Sequence, residues 1–390
     1  GPPGPAGGGA VAAEERQDGD RPRPGSALSA GDDEGAAADE EDASIPPEVM
    51  DLFDTLRGEA LRRLEEFGPI HLFSLCWAYS TARLLDEDLR GKITEAALRL
   101  GEKRDQRPRA QTPAPAELER RAGGAGDEPT IVAQGEHWMA LYKPPHWQVN
   151  VDSKEAMKAA ERSAAAAPFE DEDEADAEED AGAGERPSGG LKLQVWARQN
   201  LAPLYPICTD PIEAFGLLHR LDAQTSGVLM CAKSYVGAYW LRLQWCSYLV
   251  DKEYVCLVHG WVPRDVREVH KRIRVDKKKA PNSRRTVSTI CSVSPSGKPS
   301  FTEVATLAHL VRPALGQAER YSLVALKLHT GRTHQIRVHM MSLGHPLVTD
   351  AKYAEATYRD DQTWCPRNFL HTHHLGFEDV PTAPGPAAPA

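Results

Sequence analysis

The sequence lacks any apolar run as long as a membrane-spanning helix, so we expect no association with a membrane. Cysteine is sparse as well: the seven cysteines are scattered, odd in number and never spaced as Cys-x-x-Cys. This pattern argues against a disulfide framework and indicates reduced thiols, which are typical of an intracellular protein.

Motifs for cofactors are also missing. No glycine motif for a nucleotide phosphate or a dinucleotide lies between a predicted strand and a predicted helix. Cys365, His371, His373 and His374 are close in sequence, but their spacing matches no standard zinc site, and the segment is predicted to be a strand. We therefore expect neither a cofactor nor a metal.

The charge that is present is unevenly distributed. The net charge is −11, but residues 1–49 hold 12 acidic and three basic side chains, and Glu170–Asp180 holds nine acidic and no basic ones. The rest of the chain is therefore net positive. A basic surface permits a polyanionic partner, although it does not by itself prove one.

Composition divides the chain into a series of segments. The first residue is Gly rather than Met, so we expect a truncated or processed N-terminus, and the compartment stays open, with a mitochondrion or plastid among the options. The predicted segments are a disordered acidic region (1–43), a helical segment (44–105), a linker (106–127), a main domain (128–380) with a disordered acidic insertion at about 152–190, and a disordered tail (381–390).

Three amphipathic helices are predicted in the helical segment, within residues 44–67, 69–85 and 87–101. The first has apolar residues at helical spacing, among them Leu56 and Leu61, and the second is predicted to bury Leu72, Leu75, Cys76 and Tyr79. The stretch "FGPIHLFSLCWAYSTARL" is similar to one unit of the helical repeats of some organellar RNA-binding proteins. A single unit leaves two interpretations open: a repeat fragment, or an ordinary helical appendage on the main domain.

A pair of opposite charges precedes a predicted core strand in "LLHRLDAQTSG". Arg220 and Asp222 follow an apolar pair, and the apolar run "VLMCA" comes after the Thr-Ser-Gly turn. On these residues alone a surface loop with a local ion pair is a sufficient explanation. A carboxylate at the edge of a core, however, needs partners to remain ionised. The second cluster, "TGRTHQIRVH", offers Arg337 as such a partner, and an ionised carboxylate in a dry pocket is what a nucleophile or base requires.

Both clusters match a known family. "HRLDAQTSG" resembles the signature of the RluA-type pseudouridine synthases, and "LHTGRTHQIRVHMMSLGHPLVTDAKY" resembles the Arg-rich final motif of that family. The similarity spans about residues 128–380 and also includes, in order along the chain, the stretches "IVAQGEHWMALYKPP", "KEYVCLVHG", "GKPSFTEVATL" and "RNFLHTHHLGF".

The resemblance implies an α+β fold, with a mixed, mainly antiparallel sheet as its core and the small all-helical segment before it. It also implies isomerisation of uridine to pseudouridine in RNA. In this chain Asp222 is then the catalytic carboxylate, Tyr254 stacks on the uracil and accepts the C5 proton, and Arg337 pairs with Asp222. The remaining residues implied to contact substrate are Arg220, Ile336, Arg332, His219 and Thr225.

The chain departs from the family pattern at several glycines. Where the family has Asn-Lys-Pro-x-Gly, this sequence has Tyr142-Lys143-Pro144-Pro145-His146, and Thr349 and Ala354 also replace glycines. These changes fall in loops and leave Asp222, Tyr254 and Arg337 intact.

A densely basic stretch, His270–Arg285, has two interpretations. It is either a solvated charged hairpin or a loop that contacts RNA phosphates, and the candidate contacts are Lys277, Lys278, Lys279, Arg284 and Arg285. We predict a monomeric enzyme acting on rRNA, tRNA or mRNA. The alternatives are a non-catalytic RNA-binding protein on the same scaffold and, more remotely, a glycoside hydrolase, which would need a second carboxylate such as Asp350.

Overall fold

The protein is described by a computed structural model over residues 45–106, 128–149, 192–279, 286–313 and 318–381; for 277–279 and 286–288 the description covers the backbone. The chain divides into two compact units at Phe53/Asp54. Residues 45–53 of the first unit contain the start of helix α1, and the second unit contains all the other elements named below. The predicted disordered region, linker, insertion and tail lie outside the described residues, apart from their first or last positions, as do Arg284 and Arg285.

Helices are found where the helical segment was predicted, and the described residues of the main domain contain four more. Ala60 is a buried residue of α1, whereas Leu56 is exposed, so the predicted apolar face of this helix is only partly used. In α2, Leu72, Cys76 and Tyr79 are buried as predicted, and Phe73 is buried rather than Leu75. The helices are α1 (Pro47–Arg62), α2 (Pro69–Thr81), α3 (Glu87–Asp105), α4 (Leu193–Asn200), α5 (Tyr235–Cys246), α6 (Gln335–Ser342) and α7 (Glu355–Gln362).

An eight-stranded sheet forms the core, in the order β1-β2-β3-β10-β4-β9-β8-β5, and β6 and β7 form a separate hairpin. Within the described strands, only β3 and β10 pair in parallel. The predicted α+β class with a mainly antiparallel sheet is confirmed. The strands are β1 (Thr130–Gln134), β2 (Trp138–Lys143), β3 (Ser226–Ala232), β4 (Asp251–His259), β5 (Glu268–His270), β6 (Ile273–Lys279), β7 (Thr286–Val293), β8 (Phe301–Arg312), β9 (Glu319–Leu328) and β10 (Leu370–Gly376).

Alternation of apolar residues explains why β9 forms a central strand. Val324, Leu326 and Leu328 are all buried, which places one face of the strand in the core as the period-two pattern predicts.

One row of residues across the sheet runs through its centre. Gly227 of β3 pairs with Lys143 of β2 and with Thr372 of β10, and Thr372 pairs in turn with Tyr254 of β4. Directly paired residues share a face of a sheet. This row therefore places Tyr254 on the same face of the sheet as Gly227, which lies near the start of β3, shortly after Asp222.

The close approach of β3 and β10 depends on Gly227. Its φ is +127°, and a Cβ at this position would lie 2.2 Å from the carbonyl oxygen of Thr372. Only glycine fits such a position. The glycine of the Thr-Ser-Gly turn therefore permits the parallel pairing that brings two distant segments together.

Helices α2 and α3 pack against α5. Gly101 of α3 permits this contact, because a Cβ there would lie 2.8 Å from the Cα of Val236. The carboxylate of Asp105 accepts hydrogen bonds from the N–H groups of Tyr235 and Val236, at 3.0 and 3.1 Å. The end of α3 thus caps the first turn of α5, where backbone N–H groups lack partners within the helix.

Candidate active site

Asp222 and Arg337 form an ion pair although 115 residues separate them. Asp222 lies in the loop before β3, and Arg337 is in the first turn of α6, with its Nη1 3.1 Å from Asp222 Oδ2. The arginine side chain is 1% exposed and the aspartate side chain 21% exposed. The carboxylate therefore lies at the border between the core and the solvent.

A second carboxylate holds the buried guanidinium in place. Asp350 accepts from Nε and Nη2 of Arg337 at 2.8 and 2.9 Å, a bidentate arrangement, and is itself fully buried. Burial would raise the pKa of Asp350, but the charge and hydrogen bonds of Arg337, together with the backbone N–H groups of Lys352 and Tyr353, lower it below its ordinary value. Asp350 thus stays ionised and balances the charge of Arg337.

The aromatic ring of Tyr353 supports Arg337 from another side. The centre of the ring lies 5.1 Å from the guanidinium carbon, and its hydroxyl is 2.8 Å from His334 Nδ1. Tyr353 also packs beside the apolar cluster of Ile273, Cys291 and Val338, which joins the β6–β7 hairpin to α6. The hairpin that contains the basic stretch is thereby fixed next to the helix that carries Arg337.

Tyr254 is buried on β4, in the central row of the sheet. Burial raises the pKa of its hydroxyl to about 12, and the negative charge of Asp222 contributes to that rise. The tyrosine therefore keeps its proton at neutral pH, and its phenol is uncharged.

Lys143 ties the Lys-Pro turn to the Asp222 loop. Its ammonium group is fully buried and donates to three carbonyl oxygens, those of Pro144, Trp147 and Ala223, at 3.1, 2.8 and 3.0 Å. The N–H of His146 donates to the same oxygen of Ala223 at 2.6 Å. The residue next to Asp222 is thus held by two groups of this turn.

The turn before α6 is fixed by Gln335, which is buried. Its Oε1 accepts from the backbone N–H of Arg332 and from Thr330 Oγ1, and its Nε2 donates to the carbonyl of Phe301. Arg332 is half-buried, with its Nε 3.1 Å from the carbonyl oxygen of Pro299. Ile336 is buried at the start of the helix, next to Arg337.

The other predicted substrate contacts lie in the Asp222 loop and are engaged with the protein. His219 Nε2 accepts the N–H of Met230 at 3.1 Å, and its ring stacks on Trp245. Burial and the charge of Lys252 lower the pKa of His219 to about 3, so the ring is neutral. Thr225 is buried and its N–H donates to the carbonyl of Asp222. Arg220 is half-buried two residues before Asp222. Their contacts with substrate stay predictions.

Lys277, Lys278 and Lys279 lie at the end of β6, paired with β7. Both interpretations of the basic stretch are compatible with a hairpin, and the backbones of β6 and β7 form one. RNA contacts by these lysines stay a prediction.

Sequence reasoning underestimated Asp350 and missed the roles of Lys143 and Tyr353. Asp350 follows the apolar Leu347 and Val348, just as Asp222 follows an apolar pair. Because a carboxylate beside a core needs a cationic partner, the position of Asp350 after this apolar pair is the signal that could have identified it.

No group of three or more His, Cys, Asp or Glu side chains suited to a metal ion occurs within the described residues. Across the same residues, every helix is too short or too polar to cross a membrane.

Comparison with known proteins gives a family match. The family model for RNA pseudouridylate synthases matches residues 137–342. The ribosomal large subunit pseudouridine synthase C of Vibrio cholerae serotype O1 is 32% identical over 191 residues, which cover 48% of this chain and 54% of that protein. The tRNA pseudouridine synthase C of Yersinia pestis is 34% identical over 164 residues, 40% of this chain and 61% of that one.

A mammalian relative shows a similar range of coverage. The RNA pseudouridylate synthase domain-containing protein 1 of Mus musculus is 34% identical over 177 residues, covering 44% of this chain and 54% of that protein. The solved structure of human RNA Pseudouridylate Synthase Domain Containing 1 superposes with a TM-score of 0.41 and 24% identity, covering 65% of this chain and 79% of that one. This chain spans about half the length of the first of these relatives.

Proposed function

The chain belongs to the RNA pseudouridylate synthase family, and on that premise we propose that it isomerises uridine to pseudouridine within RNA, with Asp222 as the catalytic carboxylate. The observation that carries the proposal is the arrangement of Asp222, Arg337 and Asp350. A buried arginine, neutralised by one carboxylate, holds a second carboxylate that is partly open to solvent.

The reaction needs an ionised carboxylate that can reach a sugar carbon. Asp222 either attacks C1′ of the bound uridine or removes the C2′ proton, and in both cases the N1–C1′ bond breaks. The uracil then turns and bonds to C1′ through C5, losing the C5 proton while N1 gains one. The product is an isomer of the substrate, so the atoms balance without an external reactant.

The arrangement around Asp222 suits this task. Arg337 Nη1 binds one carboxylate oxygen, Oδ2, and among the described residues no hydrogen bond reaches Oδ1. That oxygen is therefore available to a bound sugar. Because Asp350 already balances its charge, Arg337 can orient Asp222 without neutralising it fully.

The uridine must leave its stack before a carboxylate at the core border can reach it. Extrusion of a nucleotide costs roughly a few kcal/mol, and stacking on an aromatic ring returns about 1–3 kcal/mol per base. Tyr254 provides that ring, while Arg220 occupies the space that the base leaves and Ile336 presses on the uracil. The raised pKa of Tyr254 favours the stacking role over acceptance of the C5 proton.

The substrate is an RNA within the cell, of the ribosomal, transfer or messenger class, and the enzyme acts as a monomer. Two observations support an intracellular setting. No disulfide joins any of the seven cysteines, which all lie within the described residues, and the relatives' names refer to ribosomal and transfer RNA.

The decisive experiment replaces the catalytic carboxylate by its isosteric amide. Asp222→Asn removes the charge but keeps the shape, so pseudouridine formation should fall by about 10³-fold or more, while the melting temperature stays within a few degrees of wild type. The matched control is Asp265→Asn at an exposed aspartate, which should retain full activity.

The measurement is pseudouridine mapping of RNA from cells that lack the protein, before and after incubation with each variant. Residual modification by Asp222→Asn at the wild-type rate would contradict the catalytic assignment. RNA binding by wild type with no new pseudouridine at any position would favour the non-catalytic alternative instead.

A further inference from the structure

A strained turn precedes the Asp222 loop. Ala214, Phe215 and Gly216 all have positive φ, at 54°, 57° and 80°. Residues other than glycine rarely adopt a positive φ, because the side chain then clashes with the backbone. Such strain persists only where the surroundings hold it, and it occurs often at functional sites.

The residue that starts this turn is anchored in a buried ion cluster. Glu213 is 2% exposed, and its carboxylate contacts Arg104 and Arg242. Nη1 of Arg104 lies 2.5 Å from Glu213 Oε1, and the hydroxyl of Tyr239 donates to the same oxygen at 3.1 Å. The cluster thus fixes the residue immediately before the strained turn.

Arg104 binds this part of the chain at two points. It is in the last turn of α3 and also bonds Asp210 through Nη2 at 2.8 Å, while its guanidinium lies 4.2 Å from the centre of the Tyr235 ring. The arginine therefore bridges two carboxylates, Asp210 and Glu213, that both lie just before the turn. Since Asp105 caps α5 at the same place, the end of α3 is firmly oriented.

The Asp222 loop follows the strained turn directly, and its first residues pair with β3. Leu217 forms an isolated bridge with Cys231, and the N–H of Leu218 donates to the carbonyl of Met230 at 3.2 Å. His219 then accepts the N–H of Met230. Because Asp222 comes only nine residues after Glu213, the direction in which the chain leaves the turn affects where the carboxylate lies.

We propose that Arg104, in the helical segment, is a positioning residue for catalysis: by bridging Asp210 and Glu213 it holds the strained turn 214–216, which directs the Asp222 loop toward Arg337. The inference rests on the proposed function for the role of Asp222, but the contacts that hold the turn do not depend on it. Helix α3 accordingly helps to position the Asp222 loop and is not only an appendage.

The test compares two arginine variants of the same helix in the full chain. Arg104→Met removes the bridge, whereas Arg99→Met removes an exposed arginine that pairs with Glu65 and Glu95 inside the helical segment. Arg104→Met should lower kcat about 10²-fold, the effect expected from a displacement of about 1 Å, with KM for RNA nearly unchanged. Arg99→Met should leave both constants unchanged. Arg104→Lys keeps the positive charge but lacks the guanidinium that bonds two carboxylates at once, so it should give an intermediate kcat.

Hydrogen–deuterium exchange provides a readout that does not require activity. Amides of residues 214–222 should exchange faster in Arg104→Met than in Arg99→Met, because the turn opens locally. If Arg104→Met does not fold, Tyr239→Phe, which deletes only the hydroxyl between Arg104 and Glu213, should show the same change more weakly.

The outcomes separate the two proposals. Unchanged exchange over 214–222, or a fall in melting temperature with kcat retained within about twofold, would overturn the positioning role. Faster exchange together with a wild-type enzyme that forms no pseudouridine would instead leave the turn assignment standing and reject the proposed function. The kinetic probe is a transcript carrying a uridine identified by the mapping experiment.

Discussion

At the scale of single residues, two positions show how this chain accommodates the loss of family glycines. His146 and Thr349 replace glycines of the family pattern, and their φ values are 69° and 58°. A left-handed residue other than glycine costs roughly 1–2 kcal/mol. Thr349 is held in this conformation by bonds from its N–H to Asp361 and from its hydroxyl to the carbonyl of Cys365. The backbone thus has the conformation that glycine favours, and neighbouring contacts offset its cost.

The buried His219 gives a prediction about pH at this scale. Its pKa is about 3 in the folded protein against an ordinary value of 6.5, so the unfolded chain takes up a proton below pH 6.5 that the folded chain does not. The free energy of unfolding therefore falls as the pH drops from 6.5 towards 3, by up to about 2 kcal/mol at pH 5 from this residue.

His219→Gln should flatten that dependence. Denaturant unfolding at pH 7 and pH 5 measures it, and the loss of stability between the two should shrink by up to about 2 kcal/mol in the variant. The control is His270→Gln, at a side chain that is 59% exposed. It should not alter how steeply the free energy of unfolding falls between pH 7 and pH 5. The slope that remains is assigned to His339 and His371, whose pKa values are also lowered by burial. An unchanged slope in His219→Gln would contradict a neutral, buried ring.

At the scale of elements, the pairing of β3 with β10 decides where the site forms. It places Tyr254, one strand further along, on the same row as Gly227, five residues after Asp222. The pairing is parallel, so the two strands require a long connection. Strands β4 to β9 and helices α5 to α7 all lie between them in sequence.

Gly227→Ala tests this pairing. Its Cβ would clash with Thr372, so we expect a loss of several kcal/mol, the range of overpacking combined with backbone strain. Gly91→Ala on α3 has nothing within 4 Å of the new Cβ and should instead be neutral or stabilise by up to about 1 kcal/mol, as alanine does within a helix. Thermal unfolding followed by circular dichroism compares them; equal melting temperatures would refute the role of Gly227.

At the scale of the whole molecule, charge is divided between acidic segments and a basic remainder. The basic hairpin β6–β7 packs beside α6, which carries Arg337. An RNA whose uridine reaches Asp222 would therefore pass near this hairpin. That geometry supports the interpretation of the basic stretch as a phosphate-contacting element.

The triple variant Lys277→Gln/Lys278→Gln/Lys279→Gln should weaken binding of a single-stranded uridine-containing oligonucleotide. For every phosphate that the variant no longer binds, the slope of log affinity against log salt should become shallower by about 0.7. Lys92→Gln/Lys103→Gln/Lys327→Gln removes the same charge elsewhere and serves as the control. Fluorescence anisotropy over a salt series provides both values. Equal slopes for the two triple variants would indicate that the hairpin lysines are simply solvated.

The sequence by itself determined the family and the helical segment and, through the family resemblance, the mainly antiparallel α+β class. The catalytic roles of Asp222, Tyr254 and Arg337 follow from the same resemblance and stay predictions. The helical segment follows from the helical spacing of apolar residues, and the family follows from short motifs whose residue types and order are specific. The apolar pair before Asp222 was enough to indicate that this carboxylate needs a cation.

Only the tertiary structure decided how distant segments cooperate. The bidentate bond of Asp350 to Arg337, the three carbonyls that Lys143 binds and the bridge from Arg104 to Glu213 join residues whose side-chain directions no local pattern records. The same holds for His219, which lies in a family signature and yet binds a backbone N–H of β3. Local propensity is encoded within a few residues, whereas partner choice depends on which surfaces burial brings together, and that is a property of the whole fold.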